Sequence, residues 1–403
     1  MKHHKLQWMS VALCVAASLT SRRSFAQATI RMFEGGDFDG DGRKDVAFYN
    51  NNDKNWWMGL SDGNQTHWQQ ASNANFGNLL DGRHAFYTND YNGDGKTDFL
   101  FYYPADSNWW LGLSDGSRLN WINAGNTSGF GNLMDANHIV LTGNFSSDAK
   151  GDMLFYASDG RWWMGVSNGQ QLAWHLASSS ATFGPLLDNK HAFYPGDYDG
   201  DGKTDILFYY NADGNWWLGR SDGNLLNWTN VSNTTGYGNL MDGNHAILTG
   251  DFTGDGNTDI LFYSSDGNWF MGVSNGQQLV WHQASATGYF GPLLDGKHAF
   301  YPGDYDGDGR TDILFYFSSD SNWWLGRSDG NLLSWTNVMN SSGMGNLLDG
   351  KHVIYSGDTT DNGLADLIIY YSGDSNWWIG NNDNRQFGWS LASNTAGFGN
   401  LLR

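Results

Sequence analysis

Cysteine is almost absent from this chain of 403 residues. The single one, Cys14, lies among the first twenty residues, so no disulfide can brace the rest of the protein. Glutamate is equally scarce: Glu34 is the one Glu beside 41 Asp. Basic residues number 22 against 42 acidic ones. The net charge of −20 excludes the basic footprint that nucleic-acid binding requires. Long hydrophobic runs are also missing. The apolar stretch from Leu6 to Leu19 falls short of the roughly 20 residues of a membrane-spanning helix, so the protein is not expected to be transmembrane. What the chain has instead is 54 Gly, 21 Trp, 19 Tyr and 23 Phe. Glycine-rich turns between aromatic segments point to many short strands.

The N-terminus reads as a signal peptide over residues 1–26. Lys2 and Lys5 precede the short apolar run, and Ser24-Phe25-Ala26 has the small-x-small pattern of a cleavage site. An uncleaved anchor would want a longer run. Leu13 stands before Cys14 where a lipoprotein signal has a small residue, so lipidation is not expected. The expected destination is extracellular or periplasmic. Without the four leader cations Lys2, Lys5, Arg22 and Arg23, 18 basic residues face 42 acidic ones, a net charge of −24. An acidic surface made almost only of Asp points to short carboxylates chosen for loop geometry and for hard cations.

One unit recurs seven times over residues 27–403. Its marker in the clearest copy is Gly-Asp-Tyr-Asp-Gly-Asp-Gly-Lys-Thr-Asp, and the first loop position falls at Asp37, Asp90, Asn144, Asp197, Asp251, Asp304 and Asp358. The steps alternate between 53 and 54 residues, which gives a longer unit of 107. Copies two, four and six are alike; three and five lack one residue before the tryptophan pair. In copy four, strands are expected over 191–198, 206–210, 216–220 and 225–231, with turns between them. Four antiparallel strands per repeat match a propeller blade, so the expected fold is all-β: one seven-bladed β-propeller of four-stranded antiparallel blades. No strand is left over for exchange between the first and last blades, so packing is expected to close the ring; the alternative is a short strand over Thr29–Phe33 that pairs across the seam. The tryptophans follow the repeat. Thirteen lie in the paired position, as in Trp109-Trp110, with Trp269-Phe270 as the one broken pair. Seven more lie on the fourth strand, from Trp68 to Trp389. Neighbours on a strand face opposite ways, so each pair can pack against both adjoining blades.

The loop after the first strand carries oxygen ligands at positions 1, 3, 5 and 9. Blade one has Asp37, Asp39, Asp41 and Asp45. Blade four has Asp197, Asp199, Asp201 and Asp205, with Gly202 after the third ligand; blade six has Asp304, Asp306, Asp308 and Asp312. Blade two (Asp90, Asn92, Asp94, Asp98) and blade five (Asp251, Thr253, Asp255, Asp259) are nearly complete. Blade seven is worn, with Asp358, Thr360, Asn362 and Asp366. Blade three has Asn144, Ser146, Asp148 and Asp152, and Ala149 where glycine is expected. Such loops suit Ca²⁺, which takes six to eight oxygen ligands. About five good sites are expected, and seven at most. A turn without metal would explain one such loop but hardly five.

The segment Gly196–Phe208, Gly-Asp-Tyr-Asp-Gly-Asp-Gly-Lys-Thr-Asp-Ile-Leu-Phe, resembles the FG-GAP/VCBS repeat of integrin-α-like propellers, and the likeness extends over all seven copies. The resemblance implies a seven-bladed propeller with calcium in hairpin loops between first and second strands. It implies little about function, because adhesion proteins, lectins and enzyme-attached modules share the repeat.

Six histidines precede the loops: His84, His138, His191, His245, His298 and His352. Each follows an Asp by three residues: Asp81, Asp135, Asp188, Asp242, Asp295 and Asp349. Arg31 stands at the matching distance in blade one. Two roles fit these Asp-x-x-His units. They can fasten one blade to the next, or they can line interblade sugar pockets with the neighbouring aromatics. Fungal integrin-like propeller lectins resemble the second plan. Three uses of the whole protein therefore stay open: multivalent binding of glycans or glycoproteins, protein adhesion or scaffolding, and action on polysaccharides. Repetition favours the first. Enzymatic activity has the least support, since no single acid–base pair stands out and no Cys nucleophile or G-x-S-x-G elbow exists. Sequence leaves the oligomeric state open.

Overall fold

The computed structural model describes residues 30–402, apart from 34, 73, 75, 180–182, 287–289 and 385. The expected signal peptide lies outside the described residues. The chain is all-β and forms seven four-stranded antiparallel sheets, each with its strands in chain order. In blade four the strands are His191–Gly196, Asp205–Tyr210, Asn215–Ser221 and Leu226–Asn233. They agree with the expected segments except at their ends. The first strand stops at Gly196 because Asp197 turns the chain into the loop.

Both faces of a blade meet another blade, so the second strand is buried at nearly every position rather than at alternate ones. The core is accordingly divided into interblade layers. One layer joins Tyr209, Trp216 and Leu218 of blade four to Ile260 and Phe262 of blade five. The tryptophan pair serves two layers at once. Trp216 lies 4.8 Å from Tyr209 and 5.8 Å from Trp281 of blade five. Trp217 faces the other way, 4.7 Å from Phe183 on the connection from blade three. The pairing shifts register here, with Val231 of the fourth strand as the extra residue between the partners of Trp216 and Trp217. Opposite Trp228 stands Gly219. A Cβ on Gly219 would come within 2.8 Å of the indole, so the absence of a side chain makes room for the ring.

Packing closes the ring. Ile30–Phe33 pairs with Val46–Asn50 of its own blade, so among the described residues no strand is exchanged. Ile30, Val46 and Phe48 form a common layer with Ile368, Tyr370 and Trp377 of blade seven. Trp68 Nε1–H donates to Ser393 Oγ at 3.0 Å, and Phe398 lies 4.5 Å from Trp57.

Candidate functional site

The seven Asp-rich loops join the first and second strands of their blades and are linked to one another by backbone. The amide of Thr97 in blade two donates to the carbonyl oxygen of Asp37 in blade one at 2.6 Å. The same bond runs from Gly151 to Asp90, Thr204 to Asn144, Thr258 to Asp197, Thr311 to Asp251 and Ala365 to Asp304. It returns across the seam from Lys44 to Asp358. A second ring runs beside it: Ser114 Oγ–H donates to the Phe38 carbonyl and Ser221 Oγ–H to that of Phe145, each in the blade before.

The Asp at position 9 is the hub of each loop. Asp205 accepts the Ser221 amide on Oδ1 and the Tyr198 amide on Oδ2. Asp45, Asp98, Asp152, Asp259, Asp312 and Asp366 repeat this arrangement in their own blades. These carboxyls are completely or almost completely buried. Burial pushes Asp45, Asp98 and Asp205 up to about 8, and Asp259 and Asp312 up to about 7, although the amide bonds oppose the shift. Sequence treats position 9 as a ligand like the others, and it hides this structural role.

Position 1 shapes the turn. Asp197 Oδ1 accepts the Gly200 amide at 2.7 Å, and Oδ2 accepts the Gly202 amide at 2.8 Å. Position 3 supplies bare oxygens: Asp199 Oδ1 and Asp306 Oδ1 are buried without a hydrogen-bond partner. Position 5 leans toward the basic residue two places on, so that Asp41 pairs with Arg43, Asp201 with Lys203 and Asp308 with Arg310. Three groups of carboxylates lie close enough to hold a metal ion: Asp37, Asp39 and Asp45; Asp197, Asp199 and Asp205; and Asp304, Asp306 and Asp308. These are the three loops with Asp at all four positions. Among the described residues, no three carboxylates converge in this way in blades two, three, five or seven, where position 3 is Asn92, Ser146, Thr253 or Thr360. Orphaned oxygens within a carboxylate cluster fit a hard cation.

The Asp-x-x-His units form a second candidate site, on the connections between blades. His191 Nδ1 lies 2.8 Å from Asp188 Oδ1, which also accepts the Lys190 amide. The six pairs span 2.7 to 3.2 Å. The histidine bonds to its Asp, not to backbone. Burial lowers the pKa of His84 and of His191, against the pull of the paired carboxylates, so both are neutral at pH 7. With Nδ1–H donating to Asp, Nε2 is left as an acceptor. His298 Nε2 is buried and without a partner.

The rings beside the histidines follow the two blade types. His84, His191, His298 and His352 stack on Tyr103, Tyr210, Phe317 and Tyr371 at 4.4–4.5 Å. In blades three and five the cross-strand partners of His138 and His245 are Ala157 and Ser264. At the start of blade two, His84, Asp81, Phe76, Tyr103, Asp106 and Trp110 line a cavity of about 290 Å³. Blade one differs in register from its count along the chain. Ile30 stands opposite Asn50, as His191 stands opposite Tyr210, so Ile30 and not Arg31 takes the histidine's place. Arg31 lies one position further on, with its guanidinium 4.8 Å from the centre of the Phe86 ring.

Seven sheets in cyclic order and an Asp-rich loop after each first strand define a β-propeller. The FG-GAP-like repeat profile matches residues 37–101, 197–262 and 251–315, so this is a seven-bladed propeller carrying FG-GAP-like repeats. No curated protein matches the chain. Among solved structures, it is similar to a lectin of Agrocybe aegerita that specifically recognises non-reducing terminal N-acetylglucosamine. That match has a TM-score of 0.70 and 17% identity, and it covers 91% of this chain and 90% of the lectin. A post-proline cleaving enzyme from Rickettsia typhi matches with a TM-score of 0.51 and 7% identity, over 92% of this chain and 54% of the enzyme. At such identities the likeness is one of fold.

Proposed function

We propose that this protein is a secreted, calcium-stabilised, multivalent carbohydrate-binding propeller whose ligand pockets lie between blades. The observation that carries the reading is the pocket at His84. It places aromatic faces (Phe76, Tyr103, Trp110) beside hydrogen-bonding groups (Asp81, His84, Asp106) around a cavity of about 290 Å³. A sugar ring asks for such a combination: a flat apolar surface for its C–H face and acceptors for its hydroxyls. The Asp–His pair recurs at six of the seven interblade connections, which supports several modest sites acting together through avidity. The overall likeness to the Agrocybe lectin makes terminal N-acetylglucosamine the first sugar to test.

The loops have a separate task in this reading. Ca²⁺ held by Asp37, Asp39 and Asp45, by Asp197, Asp199 and Asp205, and by Asp304, Asp306 and Asp308 neutralises carboxylates that otherwise repel one another. It thereby stiffens the loop ring that links neighbouring blades. Residues 27–403 contain no cysteine, so in an oxidising compartment their cross-links would be ionic rather than covalent. The test is a glycan array probed in saturating calcium and again in chelator. Retention of glycans in calcium, weakened by chelator, is the expected outcome. No glycan retained in calcium would overturn the reading.

A further inference from the structure

A second cleft lies at the outer rim, between the fourth strands of blades one and two, with a volume of about 510 Å³. Gln70, Ser72, Arg118, Asn120 and the half-buried Trp121 line it. The Asp-x-x-His residues of the pocket above are not among its walls. Its polar character comes from two side-chain amides, a hydroxyl and one cation.

Arg118 is out of place in two respects. The matching residues of the other blades are Gln65, Gln171, Leu225, Gln278, Leu332 and Gln386, so the repeat has a cation here only once. Among the described residues, its guanidinium also has no carboxylate within 4.0 Å. Arg43, Arg83, Arg161, Arg220, Arg310 and Arg327 each lie within 4.0 Å of an Asp, and Arg31 lies over aromatic rings. Asp115 is near in sequence, but it accepts the Arg118 backbone amide, and its other oxygen accepts from Asn120. In so acidic a protein, an arginine left unpaired at the wall of a cleft is available to an anion from outside.

We infer that this rim cleft binds a carboxylate-bearing sugar. The guanidinium of Arg118 would grip the carboxylate through two parallel N–H donors. The exposed edge of Trp121 would meet the ring, and the amides of Gln70 and Asn120 would meet its hydroxyls. The inference does not rest on the interblade pockets, and it concerns a different chemistry from the neutral sugars proposed for them.

The test is titration of the full protein with an oligosaccharide of uronic acid and with its neutral counterpart of the same linkage. Arg118→Gln is the informative variant. Glutamine already occupies this position in four other blades, so the fold tolerates it, and an unchanged melting temperature checks this. The expected results are binding of the acidic oligosaccharide that weakens as salt rises and falls about tenfold or more in Arg118→Gln, while any binding of the neutral oligosaccharide is unchanged by the substitution. Equal binding of the acidic oligosaccharide by the variant, an equal loss of the neutral one in the variant, or no binding of the acidic one at millimolar ligand would each overturn the assignment.

Discussion

The backbone amide of Thr97 donates to the carbonyl oxygen of Asp37, 2.6 Å away in the neighbouring blade. The residue that opens one Asp-rich loop is therefore also the fastening point of the next blade. This bond recurs seven times and closes on Asp358 and Lys44, so the loops form one continuous backbone-bonded ring. A cation stiffening the clusters of blades one, four and six would then stabilise the whole propeller. A site filled at a hundredfold excess over its Kd contributes about 2.7 kcal/mol. Chelator is expected to lower Tm by several degrees in differential scanning calorimetry, with recovery on adding Ca²⁺. An unchanged Tm would count against calcium.

Two aspartates of one loop are expected to behave differently. Asp205 is buried and satisfies two amides, so Asp205→Ala leaves both without an acceptor, at about 1–3 kcal/mol each. That loss should appear already in chelator, and the gain from calcium should shrink as well because Asp205 belongs to the carboxylate cluster. Asp199 has an oxygen with no donor, so Asp199→Asn should cost little in chelator and should shrink the gain from calcium. Thermal melts of both variants under both conditions check the distinction. Equal behaviour would show that position 9 is only another ligand.

Stability without metal should fall as pH rises from 6.5 to 8.5. Burial raises Asp45, Asp98 and Asp205 to about 8, far above an unfolded value of about 3.9. A group raised in this way stabilises the fold most below its unfolded value, and the contribution is lost as pH climbs through the folded one. His84 and His191 shift downward and matter only below this window. In calcium the ion replaces the protons and the decline should flatten. A Tm in chelator that rises with pH would contradict the burial of these carboxyls.

The blade's cross-strand glycine can be tested simply. Gly219→Ala places a methyl about 2.8 Å from the Trp228 indole and should cost about 1–3 kcal/mol through overpacking. Gly236→Ala has open space around it and serves as the comparison. Chemical denaturation of both variants measures the difference.

Much of this was legible in the chain itself. The 53- and 54-residue steps specify seven blades, and the Trp216-Trp217 pair announces packing on two sides, since neighbouring strand residues face opposite ways. The four Asp positions of blades one, four and six were equally plain, and the structure draws three of the four carboxylates together in each. What sequence could not display is which donors meet which oxygens. Asp205 looks like Asp199 until the amides of Tyr198 and Ser221 are seen on it. The drift of Asp41, Asp201 and Asp308 toward their cations did leave a signal: Arg43, Lys203 and Arg310 each follow two residues later. The displacement of Arg31 by Ile30 is a matter of strand register, which counting along the chain does not reveal.

The proposed function stands most directly on the number of sugar sites. Calorimetric titration with an N-acetylglucosamine-terminated oligosaccharide in calcium should give several equivalents per chain, up to six, and Asp188→Ala should remove about one of them. A single equivalent untouched by that change, or no heat of binding at millimolar sugar, would contradict the multivalent interblade reading.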